Sequence, residues 1–151
     1  MTSLAEDQAA LLRVLARHGV EFVVVGGVGA QLHGWNGATT DLDIAVSVED
    51  ANVDRLNRAL VAVGAGEPAI GATGTSFRTA YGRLEIVRRA DGIGGYEDWL
   101  RRAANKAFED LTIVVAAPGD IVRSKEAAGR DKDLEALPDI RRSFAEAGLI
   151  T

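Results

Sequence analysis

Two aspartates separated by one apolar residue, Asp41-Leu42-Asp43, followed by Ile44-Ala45-Val46, are the residues of this chain best suited to chemistry. Side chains alternate along a strand, so Asp41 and Asp43 share one face while Leu42 and Ile44 share the other. Two carboxylates on one face repel each other. They are tolerated on an open surface, or with a divalent cation between them. Oxygen donors of this kind suit Mg²⁺ or Mn²⁺, and Mg²⁺ typically binds through one or two carboxylates plus substrate phosphates. Thirteen residues separate Asp41 from the end of the run Val23-Val24-Val25-Gly26-Gly27. A Gly-Gly turn at the start of a helix removes side chains and lets backbone N–H groups approach a phosphate. Taken alone, an Asp-x-Asp is also an ordinary solvated strand face and a Gly-Gly an ordinary turn. The order in which they stand, strand, Gly-Gly, short helix, loop, Asp-x-Asp strand, describes a metal–nucleotide site.

Composition narrows the alternatives. The 151 residues include no cysteine, which excludes disulfides, thiolate zinc sites, iron–sulfur clusters and cysteine nucleophiles together. His18 and His33 are the only imidazoles, so a histidine-rich metal site and a Ser-His-Asp arrangement are excluded as well. Any metal must be held mainly by oxygen. With 17 basic and 22 acidic residues the formal charge is −5, unlike a globally basic nucleic-acid coat. No apolar run approaches the roughly 18 residues of a membrane span, and the first residues are acidic rather than positively charged as in a secretory signal. The expected location is the cytoplasm.

The elements that must position these residues follow from periodicity. Leu4, Leu11, Leu12 and Leu15 recur at helical spacing, with Ser3 as a cap and Gly19 as a stop. Phe22 to Val25 reads as a strand covered on both faces, Val28 to Leu32 as a short helix, and Asp41 to Val46 as a second strand. A helix runs from the cap residues Ser47 to Asp50 through Val63, followed by a glycine-rich loop, Gly64 to Gly74. Strands are expected at Thr75 to Ala80, Leu84 to Val87 and Leu111 to Val115, and a helix from Tyr96 to Lys106. Pro118 leads a helix toward Gly129, and Asp131 to Ala147 holds one or two helices broken at Pro138. The prediction is a single α/β (α+β) domain over residues 1–151, a small mixed sheet with helices packed on it.

This order resembles the nucleotidyltransferase superfamily related to DNA polymerase β, whose signature is a hydrophobic-Gly-Gly/Ser turn, a spacer and Asp-hydrophobic-Asp. Within it the chain is most similar to small bacterial proteins related to the AbiEii-type toxin nucleotidyltransferases. The likeness runs from about Glu21 to Arg142. It includes His33-Gly34, Ala38-Thr39-Thr40-Asp41 and the later segment Ser124-Lys125-Glu126 through Arg130-Asp131-Lys132-Asp133. The resemblance implies Mg²⁺- or Mn²⁺-dependent transfer of a nucleoside monophosphate from an NTP to an acceptor hydroxyl on tRNA or other RNA, a protein or a small molecule. It implies Asp41, Asp43 and Glu85 as catalytic metal ligands, Glu85 being the third carboxylate on a neighbouring strand. Gly26, Gly27, Thr39, Lys125 and Asp133 would hold the nucleotide, Lys125 at its phosphates with Asp133 orienting that lysine. An alternative is a weak or inactive nucleotide-binding partner, such as one component of a toxin–antitoxin pair, working with a protein partner or as a homodimer.

The chain departs from the family pattern at Gly37, where relatives often carry a basic residue, and at Thr40, where lysine is frequent; both changes thin the charge around a triphosphate. Arg78, Arg83, Arg88, Arg89, Arg101 and Arg102 form a local basic excess. They read either as an acceptor groove or, as basic runs more often are, as a solvated face. Trp35 and Trp99 are expected to pack in the core or its rim, and His33 to be a hydrogen-bonded loop residue.

Overall fold

The computed structural model describes residues 4–151. Among them lie six helices and seven strands. In chain order these are α1 (Glu6–Arg17), β1 (Phe22–Val25), α2 (Gly26–Leu32), β2 (Leu42–Val46), α3 (Asp50–Ala62), β3 (Ala69–Ile70), β4 (Gly74–Thr79), β5 (Gly82–Val87), α4 (Tyr96–Arg102), β6 (Ala104–Phe108), β7 (Leu111–Val115), α5 (Pro118–Ala128) and α6 (Asp131–Glu146). The strands form one mixed sheet in the order β3-β4-β5-β2-β1-β7-β6. β1 runs antiparallel to β2 and parallel to β7, and β2 runs parallel to β5. The expected α/β fold with a mixed sheet and packed helices is the one observed.

Each face of the sheet has its own core, as the alternation of side chains requires. Val24, Leu42, Ile44, Leu84 and Ile86 meet Leu11, Leu12 and Leu15 of α1 and Leu56 and Leu60 of α3. Val23, Val25 and Ala45 meet Trp99 of α4, Ile121 of α5, and Leu137, Ile140 and Phe144 of α6. All four residues of β1 are buried, which explains why Phe22-Val-Val-Val25 lacks a polar alternation. Asp43 lies on the second of these faces, between Leu42 and Ile44 that point to the first.

Four elements differ from the sequence expectation. The cap expected at Ser3 lies outside the described residues; α1 starts after Ala5, whose N–H donates to Gln8 Oε1 at 3.3 Å. The helix expected to reach Lys106 stops at Arg102, and Ala104–Phe108 forms β6. Ala-Asn-Lys-Ala-Phe has no β-branched residue to announce a strand. Its place comes from the antiparallel ladder to β7, closed by a turn in which Glu109 adopts a positive φ of 55°. The short β3 lies inside the glycine-rich stretch expected to be a loop, paired to β4. Finally, α6 passes through Pro138 without a break. A mid-helix proline costs about 3 kcal/mol, but burying Leu137, Ile140 and Phe144 contributes about 1.5–3 kcal/mol each. Packing on both sides of the proline therefore wins.

Candidate active site

The site forms where β1 ends and β2 begins. The helix α2 starts at Gly26 itself, two residues earlier than its apolar pattern indicates. Gly26 has a φ of 63°, a left-handed conformation that favours glycine, and a Cβ there would collide with the carboxylate of Asp43. At Gly27 a Cβ would stand 2.7 Å from Thr39 Oγ1. The two glycines thus let the helix start lie directly against Asp43 and Thr39.

Thr39 belongs to an approach loop that three buried groups pin in place. Gln8 Nε2 donates to the Thr39 carbonyl at 2.7 Å, and Gln31 Nε2 donates to the Gly37 carbonyl at 2.8 Å. Trp35 Nε1 donates to Asp139 Oδ2 at 2.8 Å. The Trp35 ring fills the space where any side chain at residue 37 would stand, so Gly37 is required by packing. This accounts for the missing basic residue there. Gln8 and Gln31 gave no sequence signal, because a lone glutamine in an amphipathic helix reads as surface.

β2 and β5 then bring two carboxylates together. Their parallel register places Asp43 opposite Glu85 on one face of the sheet. Asp43 Oδ1 is sealed from solvent and has no hydrogen-bond partner. Burial, then the Glu85 and Asp41 charges, push the Asp43 carboxyl up to about 7 from its ordinary 3.8. Asp41 precedes the strand, is half-buried, and accepts from Thr40 Oγ1 at 3.2 Å. Among the described residues no three carboxylate or imidazole side chains form a closed metal-binding group. Asp43 and Glu85 are cross-strand neighbours, and Asp41, two residues before Asp43, lines the same cavity.

The opposite wall comes from α5 and α6. Asp133 is buried between two cations: its Oδ1 is 3.4 Å from Lys125 Nζ, and Arg130 Nε donates to its Oδ2 at 2.7 Å. Burial alone would raise the Asp133 carboxyl, but the Arg130 hydrogen bond and the Lys125 charge outweigh it and hold it below the ordinary carboxylate range. That hydrogen bond in turn raises Arg130, which also feels the charges of Asp43 and Glu85. Lys132 and Arg89 line the same cavity and make no ion pair within 4 Å among the described residues. Arg130 and Lys132 were not singled out from sequence, although they stand within the Arg130-Asp131-Lys132-Asp133 segment that drew attention. They supply basic charge that Gly37 and Thr40 do not.

Between these walls lies a cavity of about 450 Å³. Asp41, Asp43, Glu85, Gly26, Gly27, Thr39, Lys125 and Asp133 all line it. An enclosed, unpartnered carboxylate oxygen beside a second carboxylate fits a hard divalent cation, for which Asp43 and Glu85 would supply oxygen ligands. His33 is elsewhere. Its ring is 8% exposed and bonded through Nε2 to the Ala116 carbonyl at 2.8 Å, and burial lowers its pKa. Trp99 is 1% exposed and closes the floor of the cavity from α4.

No family model matches the sequence, and no curated protein matches it. Solved structures do match in fold. The lincosamide antibiotic adenylyltransferase LnuA, determined with lincomycin bound, is 14% identical with a TM-score of 0.66, covering 93% of this chain and 98% of that one. The antibiotic-resistance factor ANT(2'')-Ia is 11% identical with a TM-score of 0.67, covering 97% of this chain and 89% of that one. TM1012 from Thermotoga maritima is 17% identical with a TM-score of 0.58, covering 97% of this chain and 96% of that one. The sheet, its helices and their connections are those of a nucleotidyltransferase-like fold.

Proposed function

We propose that the chain is a divalent-metal-dependent nucleotidyltransferase that moves a nucleoside monophosphate from an NTP to an acceptor hydroxyl. The observation that carries this reading is Asp43: a carboxylate with a sealed, unpartnered oxygen, set against Glu85 and facing a basic wall across one cavity. Such a group is costly to the fold unless it serves a ligand. The nucleotidyltransferase-like fold supports the same reading, since LnuA, which shares it, is an adenylyltransferase.

In this reading Asp43 and Glu85, with Asp41 at the same cavity, would hold Mg²⁺ or Mn²⁺. When bound, the ion would supply charge neutralisation for an in-line displacement. The chain's own residues do the rest. Lys125, Arg130 and Lys132 bind the triphosphate, and the backbone at Gly26 and Gly27 lets it approach beside Thr39. Asp133 is a positioning residue that holds Lys125 and Arg130 at the cavity wall. The acceptor oxygen forms a bond to the α-phosphorus while the α–β phosphoanhydride bond breaks and its electron pair leaves with pyrophosphate. The hydroxyl proton passes to the Glu85 carboxylate, beside which the acceptor is delivered. Catalysis rests on positioning and charge, with no covalent intermediate.

One observation favours a second reading, a nucleotide-binding partner without turnover, as in one half of a toxin–antitoxin pair. Among the described residues no three carboxylate or imidazole side chains form a closed metal-binding group, Asp41, Asp43 and Glu85 included. Paramagnetic broadening and pyrophosphate release together separate the two. With Mn²⁺ and NTP, amide signals of residues 26–27, 41–43 and 85 should broaden in either case, and pyrophosphate should be released only by an enzyme. Broadening there without pyrophosphate release from any NTP, in the presence of hydroxyl acceptors, would favour the non-catalytic partner. No selective broadening in the cavity would sink both.

A further inference from the structure

The basic excess read from the sequence divides in the structure into engaged and unengaged arginines. Arg88 Nη2 donates to the Gly71 carbonyl at 2.6 Å. Arg101 pairs with Asp98, and Arg102 pairs with the buried Asp120. Arg89 pairs with no carboxylate of the described residues either, but it lines the cavity already described. Arg78 and Arg83 are neither engaged nor part of that cavity lining. They are exposed, they stand directly opposite each other on β4 and β5, and no carboxylate of the described residues lies within 4 Å of either. Like charges facing each other on one rung destabilise a sheet. In a chain with 22 acidic residues and a net charge of −5, a partner for them would have been easy to supply.

Their position gives the pair a use. The ladder runs Gly74 opposite Val87, Ser76 opposite Glu85, Arg78 opposite Arg83. Alternation therefore puts both arginines on the sheet face that carries Glu85 and, one strand over, Asp43. Two residues of strand separate the arginine rung from Glu85, roughly 7 Å. The apolar cluster on this face takes Val87 from β5 and nothing from β4, so the strip beyond the cavity has no helix core packed on it. The sheet order β4-β5-β2-β1 sets the Asp43–Glu85 pair between two basic surfaces. One is the Lys125–Arg130–Lys132 wall near Gly26. The other is the arginine rung, on the side away from β1.

We propose that Arg78 and Arg83 form an anion subsite for the acceptor, which carries a phosphate about one sugar–phosphate unit from the hydroxyl delivered to Glu85. This rests on the nucleotidyl-transfer reading, in which the wall beside Gly26 takes the triphosphate and leaves the β5 side to the second reactant. A planar guanidinium pair matches phosphate oxygens and repels a cationic acceptor. The phosphate can belong to a small sugar phosphate or to a nucleic-acid backbone; the chemistry recognised is the same.

Amide chemical-shift titrations of the full chain test this, with ribose 5-phosphate, a short oligoadenylate and unphosphorylated ribose as probes, and Mg²⁺–ATP as a separate arm. At least one phosphate-bearing probe should shift residues 76–85, weaken as salt rises, and bind about tenfold more weakly to Arg78→Gln/Arg83→Gln. Ribose should shift nothing. A response to ribose 5-phosphate supports the subsite and assigns it to small acceptors; a response to oligoadenylate alone supports it and assigns it to nucleic acid. Silence from both phosphate probes, or undiminished binding by the variant, overturns the inference. The variant loses only exposed, mutually repelling charges, so its melting temperature should hold or rise. Mg²⁺–ATP should shift residues 26–27 and 41–43 equally in both proteins. A silent Mg²⁺–ATP arm beside a responsive β4–β5 arm removes the nucleotidyl-transfer reading and the acceptor role with it. A responsive Mg²⁺–ATP arm beside silent phosphate probes removes this inference alone.

Discussion

Asp43 on β2 and Glu85 on β5 face each other across a parallel register, 42 residues apart in sequence and adjacent in the sheet. Among the described residues neither carboxylate has a cationic side chain within 4 Å, and Asp43 Oδ1 has no hydrogen-bond partner. The pair concentrates negative charge at the one place where the sheet also exposes the start of α2. Its consequences reach stability as well as chemistry.

The first consequence is a dependence of stability on pH. Burial and the neighbouring charges of Glu85 and Asp41 raise Asp43 from 3.8 to about 7. Between those values the folded chain still holds a proton that the unfolded chain has lost, so stability falls as pH rises through this window and is level above it. Without metal, Asp43→Asn should therefore be more stable than the parent at about pH 8, by on the order of 1–3 kcal/mol, with the difference closing toward pH 4. Thermal melting in a chelator at both pH values reads this directly, at about 2–4 °C per kcal/mol. A difference of the same size at both ends would mean that Asp43 is not the group responsible.

Gly26 and Gly34 provide a matched pair. Both have positive φ, 63° and 103°, but only at Gly26 would a Cβ meet a neighbour, the Asp43 carboxylate. Each alanine substitution should cost roughly 1–3 kcal/mol of backbone strain in urea denaturation. Only Gly26→Ala should also abolish Mg²⁺–NTP binding. Equal binding losses in the two variants would place the effect in general destabilisation.

Lys125 and Arg130 share Asp133, so each is partly spoken for in the free protein. Lys125→Ala should weaken a nucleoside triphosphate by about tenfold and the corresponding monophosphate by much less. Arg130 still holds Asp133 in this variant, which keeps the α5–α6 junction intact. Equal loss for both nucleotides, measured by equilibrium binding, would make Lys125 a structural residue.

Pro138 tests the account of α6. The helix runs through it because Leu137, Ile140 and Phe144 are buried on either side. Pro138→Ala restores a backbone donor at no packing cost, and should raise stability by about 1–3 kcal/mol after the larger entropy of its unfolded chain is allowed for. A loss of stability would show that the proline fits a local bend the helix needs.

Much of the fold was legible because its central elements carry unambiguous periodicity. Phe22 to Val25 and Leu42 to Val46 are continuous or alternating apolar runs, and both are strands at the middle of the sheet. The edges were not legible. Ala104–Phe108 is a strand only because β7 pairs with it, and Ala69–Ile70 only because β4 does. At the site, Gly26, Gly27, Asp41 and Asp43 could be named from motif order, and Glu85 and Lys125 from the family resemblance; the cavity gathers all six. What sequence could not show was the exchange of roles around the loop. The Trp35 ring excludes a side chain at Gly37, while Arg130 and Lys132, remote in sequence, bring basic charge to the opposite wall. Gln8 and Gln31 hold that loop through backbone carbonyls, a contact no residue pattern encodes.

The central claim is that the Asp43–Glu85 pair and the basic wall facing it form a metal-dependent nucleotide site. Calorimetric titration of each NTP into the protein, with and without Mg²⁺, beside Asp43→Asn, tests it most directly. The account predicts binding that requires Mg²⁺ in the parent and is lost in a variant that melts no lower than the parent. Mg²⁺-independent binding, or undiminished Mg²⁺–NTP affinity in Asp43→Asn, would contradict it.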